Sequence, residues 1–243
     1  MRFNINNPVY VIGFAAIVSG VFTAAIMSLH AMARPVVEAN ERLYYQRALV
    51  EVFSLDAGER LTDAEVTEVY ARRIRTIDRT IADPETGVTF NMPPDQGDKR
   101  SPRTYRAVII DEQTGRETLL GYAFPIWGVG FWARIDGYMA VSPDLRRSLG
   151  IVFVSHKETP GLGGRITERT WRKNFEGLDI TEPQAPGRVL YIGGQSTGSL
   201  RKDRYVDAVT GATGTSAAVE AFLGRRITEF RRAMSADARK ERL

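Results

Sequence analysis

Residues 207–216 read DAVTGATGTS, an aspartate and four hydroxyl side chains set just ahead of the helix-like run AAVEAFL. Thr213, Thr215 and Ser216 stand where a helix would begin, and there they can cap N–H groups that have no partner within the helix. The same N–H groups, with the positive end of the helix dipole, favour a phosphate. A phosphate carried on one of these threonines would therefore sit in a favourable field. Gly211 and Ala212 are small enough to leave that hydroxyl open to a modifying enzyme. On these residues alone, a plain helix cap remains the alternative.

A second stretch, SHKETPGLGGRI at 155–166, directly follows the strand-like GIVFV. Pro160 fixes one backbone angle, while Gly161, Gly163 and Gly164 permit positive φ or close approach of a flat or anionic ligand. A glycine-rich loop at a strand end is a common docking place, and equally a common tight surface loop. His156 could donate a hydrogen bond to a ligand there, although a lone histidine is more often an ordinary polar contact. In FPIWGVGFWARIDGYMAV, 124–141, Trp127 and Trp132 flank Gly128 and Gly130. Aromatic rings beside bare backbone can stack on a planar ligand, or simply pack the core beneath a bend.

Several chemistries are excluded. With no cysteine there is no disulfide, thiolate zinc site, cysteine-held iron–sulfur cluster or cysteine nucleophile. Two histidines, His30 and His156, make a multi-histidine metal site and a Ser-His-Asp triad poor readings, and no catalytic acid–base pair stands out. The formal charge of +4 is matched by the C-terminal stretch alone: Arg225, Arg226, Arg231, Arg232, Arg239, Lys240 and Arg242 against Glu229, Asp237 and Glu241. No aromatic-interleaved basic surface accompanies it, so nucleic acid is not the expected partner. A solvated helix end, lipid headgroups or an acidic protein partner are the readings.

The elements that must position these stretches are legible in outline. No charged residue lies between Arg2 and Arg34, a run longer than the about 20 residues a membrane helix needs. Ala31-Met32-Ala33 resembles a signal-peptidase site, but the apolar run exceeds a usual signal core, which favours a retained anchor. Arg34, Arg42 and Arg47 on the C-terminal flank would place that side in the cytoplasm by charge counting. The pattern next predicts a helix opening at Pro35, then a second helix in LTDAEVTEVYARRIRTI behind the capping box Thr62-x-x-Glu65. PETGVTFNMPPDQGDKRSP reads as a loop. TYRAVII and ETLLGYAF read as a hairpin, GIVFVS and GRVLYIGG as further strands, and TSAAVEAFLGRRITEFRRAM as a terminal helix. The expected fold is α+β. Residues 1–33 form a stub and transmembrane anchor, 34–82 a helical linker and 83–103 a loop. Residues 104–234 form a domain with a mainly antiparallel or mixed sheet packed by helices, and 235–243 a basic tail.

Asp207-x-x-Thr210-Gly211-Ala212-Thr213, followed by Thr215-Ser216, resembles the flavinylation motif D-x-x-[S/T]-G-A-T-x-T-S. Glu158-Thr159-Pro160-Gly161-Leu162-Gly163 resembles the E-T-P-G-L-G loop of the same proteins. These are the FMN-binding subunits of two related respiratory assemblies, the sodium-pumping NADH:quinone oxidoreductase (Nqr) and the Rnf electron-transport complex. GVGFWARIDGY, with Trp132, is similar to the former, and His156-Lys157 with Trp171 and Phe175 to the latter. Thr210 stands where serine is common, Gly214 fills the variable position, and the arginine-rich tail has no counterpart in the family.

The resemblance implies FMN attached through a phosphodiester to Thr213 by a flavin transferase, with the E-T-P-G-L-G loop, Trp132 and His156 beside the flavin. It implies a single-pass component of the inner membrane with its flavin domain on the periplasmic side, overruling the arginine count. The implied partners are the other membrane subunits of an ion-translocating complex, the transferase and membrane lipid. An anchored module holding a ligand non-covalently and a non-redox assembly subunit are the alternatives.

Overall fold

A computed structural model describes residues 8–56, 60–92, 101–181, 188–193 and 202–240. Parts of the expected segments lie outside the described residues: 1–7 of the N-terminal stub, 57–59 of the linker, 93–100 of the loop, 182–187 and 194–201 of the domain (with 187 and 194 of the strand GRVLYIGG), and 241–243 of the basic tail. The Arg239 and Lys240 side chains are likewise outside them. The chain divides into two compact units, 1–44 and 45–243.

In the first unit, helix α1 (Pro8–Val52) carries the uncharged run. Most large apolar side chains of that run, among them Phe14, Ile17, Phe22, Ile26 and Leu29, are exposed, whereas Leu49, Val50 and Val52 at the C-terminal end of α1 are buried. It is long and apolar enough to cross a membrane. At 1.5 Å per residue the uncharged part exceeds the ~30 Å of a hydrocarbon core. Pro35 does not open a new helix as expected: α1 runs through it, forfeiting one backbone hydrogen bond. Arg34 and Glu38 pair on the next turn at 3.0 Å.

In the second unit, α2 (Asp63–Arg73) starts at the expected capping box, with Thr62 and Glu65 each accepting from the other's backbone N–H. It ends four residues early, because Ile74 turns to extended backbone. Residues 74–76 then form β1 (Ile74–Thr76), so the linker supplies an edge strand. The expected loop after it holds part of a hairpin, β2 (Ile81–Ala82) and β3 (Thr89–Asn91). The main sheet continues with β4 (Tyr105–Ile110), β5 (Glu117–Val129), β6 (Arg134–Val141) and β7 (Ser148–Ser155). Its order is β1-β4-β5-β6-β7, antiparallel throughout. The β4–β5 hairpin is as expected, its turn held by the Asp111 carboxylate accepting from the Gln113 and Thr114 N–H groups. β6 is an addition to the expected strands, since 124–141 reads in the sequence as a possible ligand stretch.

A 3₁₀ turn at Gly163–Thr167, the short α3 (Arg169–Arg172) and a second 3₁₀ turn at Lys173–Phe175 follow β7. β8 (Tyr191–Ile192) and β9 (Tyr205–Val206) pair in parallel, and α4 (Thr213–Lys240) closes the fold. One core fills the space between sheet and α4, with Phe90, Phe124, Phe222 and Phe230 fully buried. Phe124 and Phe230 stack at 4.0 Å. Phe222 lies so close to β5 that no side chain fits at Gly128. This is the α+β architecture expected from the sequence.

Three arginines of the basic stretch, Arg226, Arg231 and Arg232, face the domain, while Arg225 is exposed. Arg232 forms a double hydrogen bond with the buried Asp83 and also pairs with Glu85. Arg231 donates to the Ile180 carbonyl, and Arg226 lies over the Trp127 ring at 4.1 Å while pairing with Glu229. Arg79 reaches Asp237. The lipid or acidic-partner reading of this stretch therefore loses the arginines that face the domain.

Burial alone would raise the Asp83 carboxyl, but hydrogen bonds from Arg232, Thr86 and the Glu85 N–H bring it below the usual range. Asp179 is desolvated too, yet Thr181 and Arg204 hold it down at about 2. Both groups bind protons more weakly folded than unfolded. Their stabilisation is thus present above the unfolded value of about 3.9 and is lost as pH falls through the folded values. Melting temperature should decline below about pH 4 in the wild type and less steeply in Asp179→Asn. Asp83→Ala, which removes the buried carboxylate that Arg232 binds and leaves it only Glu85, should cost ~2–3 kcal/mol in denaturant unfolding at pH 7.

Candidate functional site

The segment 207–216 runs from the end of β9 into the first turn of α4 and is braced by four hydrogen bonds. The Trp171 indole N–H donates to the Asp207 carbonyl at 2.7 Å. Gly211, at φ +76°, turns the chain so that the Ala212 N–H meets the Val209 carbonyl. The Ser216 hydroxyl accepts from the Val209 N–H at 3.0 Å, and the Thr215 hydroxyl donates to the Glu158 carboxylate at 2.6 Å. Thr215 and Ser216 do not cap the helix as expected. α4 begins at Thr213, so both lie within its first turn, buried, with their hydroxyls tying the helix to loops. Thr213 itself is exposed at the helix start, where the first-turn N–H groups lack intrahelical partners.

The loop after β7 is built around Glu158. His156 points back into the loop and accepts the Glu158 N–H through Nδ1, which puts any ring proton on Nε2. The Leu162 and Gly164 N–H groups both close onto the Thr159 carbonyl. Glu158 Oε1 accepts from the Trp132 N–H at 3.1 Å. Gly130 and Gly163 make room for this carboxylate. A Cβ on Gly130 would stand 2.5 Å from Oε1, and one on Gly163 would stand 2.5 Å from the Thr215 hydroxyl and 2.9 Å from Oε2. The Trp132 indole N–H donates to the Thr159 hydroxyl at 3.1 Å.

Outside this buried node lies an apolar rim. Phe131, Trp132 and Leu162 are 61%, 67% and 47% exposed. The Phe131 ring lies against Gly214, where a Cβ would come within 2.5 Å of it, and Leu162 lies over Gly211. These side chains flank Thr213 from the β5–β6 hairpin and from the E-T-P-G-L-G loop. Such exposed apolar surface beside a surface hydroxyl at a helix start suits a flat apolar ring carried on a phosphate. The residues present thus fit a flavin mononucleotide.

The sequence-derived candidates fall into three groups. Thr213, Trp132, Leu162 and Gly211 are exposed at the rim, Ala212 is buried in the core beneath it, and Glu158, Gly163, Thr215 and Ser216 form the interior brace. Asp207 and Thr210 are exposed on the approach to the helix, Thr159, Pro160 and Gly161 at the loop tip, and His156 is turned inward. Thr210 also borders a cleft of about 210 Å³ shared with Arg165, Thr170, Trp171 and Asn174. Sequence reasoning missed Phe131, whose only signal was adjacency to Gly130 and Trp132. It also left open which tryptophan packs the core: Trp127 does, against Phe90 at 5.8 Å and under Arg226.

Residues 130–227, which hold all of these candidates, match the FMN-binding domain family. The chain is similar to NqrC of the Na(+)-translocating NADH-quinone reductase. It is 32% identical to that of Haemophilus ducreyi over 57% of this chain and 52% of the relative. For Pseudomonas aeruginosa the figures are 33%, 49% and 45%. The chain thus matches about half the length of these two relatives. A 25% identical alignment with the Vibrio vulnificus protein covers 86% of this chain and 85% of that one. Two crystal structures share the fold. Shewanella oneidensis NqrC has a TM-score of 0.58 and 23% identity, over 81% of this chain and 99% of that one. The corresponding protein from Parabacteroides distasonis has a TM-score of 0.60 and 20% identity, over 82% and 95%.

Gly163→Ala should destabilise the second unit by ~1–3 kcal/mol in denaturant unfolding, because its methyl group must displace the Glu158–Thr215 contact. Trp171→Phe keeps the aromatic packing but leaves the Asp207 carbonyl without its indole donor. Amides of 207–212 should then exchange faster by hydrogen-exchange mass spectrometry, with those of β6 unchanged.

Proposed function

We propose that this chain is a membrane-anchored electron-transfer subunit of the sodium-translocating NADH-quinone reductase type, carrying FMN through a phosphodiester on Thr213. One observation carries the reading. The exposed Thr213 starts a 28-residue helix and is flanked by the exposed apolar side chains Phe131, Trp132 and Leu162. The match of residues 130–227 to the FMN-binding domain family and the names of the relatives support it.

The flavin supplies reversible electron chemistry, so the protein needs no substrate acid or base. The chain's residues would do the rest. The first-turn N–H groups of α4, which lack partners within the helix, would favour the charge of a phosphate on Thr213. Phe131, Trp132 and Leu162 offer a surface that keeps water from one side of a planar ring. Glu158, Thr215 and Trp171 fix the segment on which the ring is carried, so electron-transfer distances would not drift with loop motion. Asp207 and Thr210, both exposed, are accessible to a flavin transferase. α1 would hold the domain at the inner membrane beside the other subunits of the complex, and the family resemblance favours the periplasmic side.

The full chain, co-expressed with a flavin transferase, should give a band that fluoresces under ultraviolet light on a denaturing gel and an intact mass increased by one FMN. Thr213→Ala should lose both, and Asp207→Ala should reduce loading. A fluorescent band that persists in Thr213→Ala would sink the attachment site. A ligand that leaves on unfolding would point to non-covalent binding, and a colourless protein to an assembly role.

A further inference from the structure

The attachment chemistry leaves Glu158 unused, although it is buried against Thr215, two residues along the helix from Thr213. Glu158 is 4% exposed and both its oxygens accept, Oε2 from the Thr215 hydroxyl and Oε1 from the Trp132 N–H. Two donors and no acceptor at those oxygens suit a charged carboxylate, because a carboxylic acid would bring its own proton to place. Among the described residues, no Lys, Arg or His side chain pairs with it. A buried charge ordinarily has an ionic partner. Here the compensation comes from a hydroxyl, an amide and the positive end of α4. Thr215 follows Thr213 by two residues on the same helical turn, so the carboxylate lies within about 10 Å of the Thr213 side chain.

We propose that Glu158 is an electrostatic tuning residue. Its buried negative charge lowers the reduction potential of the FMN carried at Thr213, acting across the first turn of α4 without touching the flavin. This rests on the reading of Thr213 as the attachment residue. Each electron that the flavin gains from a redox partner adds negative charge until a proton is taken up from water. A fixed like charge at that range opposes the gain. At an effective dielectric near 20, a like charge ~12 Å from the ring opposes the gain by about tenfold in the ratio of reduced to oxidised flavin.

The test is a potentiometric titration of the flavin absorbance in the full-length flavinylated chain, comparing wild type, Glu158→Gln and Thr215→Val. Glutamine keeps the shape of the site: its carbonyl can accept the Trp132 N–H and its amide can donate to the Thr215 oxygen. Removing the charge should raise the reduced-to-oxidised ratio about tenfold at a fixed ambient potential, ~59 mV for a one-electron step. Thr215→Val keeps the carboxylate but strips a donor from it, so the ratio should move the other way. An unchanged ratio in Glu158→Gln, or the same direction in both variants, would overturn the proposal. If the glutamine variant does not fold, Thr215→Val decides alone: a fall supports the proposal, and no change or a rise overturns it. A loaded wild type with an unmoved Glu158→Gln ends only this inference, whereas a wild type without covalent FMN ends the attachment reading as well.

Discussion

The buried Glu158 carboxylate, through its hydrogen bonds from Thr215 and Trp132, joins three separate pieces of chain, and the local structure is arranged to permit it. The helix contributes the hydroxyl, the loop after β7 the carboxylate, and the β5–β6 hairpin the Trp132 N–H that satisfies the other oxygen. A buried carboxylate is costly unless each oxygen finds a donor. That requirement leaves bare backbone at Gly130 and Gly163, since a Cβ at either would enter the space the carboxylate fills. With the interior so occupied, Phe131, Trp132 and Leu162 are directed outward around Thr213.

The helix that carries Thr213 is held along its length by different physics. Near its start it packs through Phe222 against β5 and further on through Phe230 against Phe124. Along its polar face it is held by arginines: Arg226 over Trp127 and Arg232 on Asp83. Cation, aromatic ring and buried carboxylate replace the apolar contacts that a polar helix face cannot make. A stretch that looks like a free basic surface by composition is therefore a fastening between α4 and the strands beneath it. The attachment segment gains a rigid base at one end from this helix. At the other end it is held by Trp171, itself packed on Phe175 and Phe153.

Much of this is legible residue by residue, for definable reasons. The capping box Thr62-x-x-Glu65 and the Asp111 turn are readable because their partners lie within three residues. Extended backbone at Ile74 ends α2 where helical periodicity alone would carry it on, because pairing with Ala107 gives those residues a place in the sheet. β6 is hidden because Trp127, Gly128, Gly130 and Trp132 just before it read as a ligand stretch, while its strand character comes from neighbours on both sides. Pro35 suits a helix start by residue type, yet α1 continues through it.

The sequence by itself determined the apolar segment long enough to cross a membrane, the α+β order of elements, and the two motifs that resemble a flavin-carrying family. Each is a local pattern of residue types, readable without knowing what lies opposite. Only the tertiary structure decided the division of labour within those motifs. Thr213 faces out and Thr215 faces in because Glu158, 57 residues away in the chain, occupies the inner side. Arg232 is a fastening rather than a surface charge because Asp83 meets it from 149 residues away. A hydroxyl or a guanidinium has the same character wherever it stands in a sequence, and what it does is set by the partner that folding brings to it.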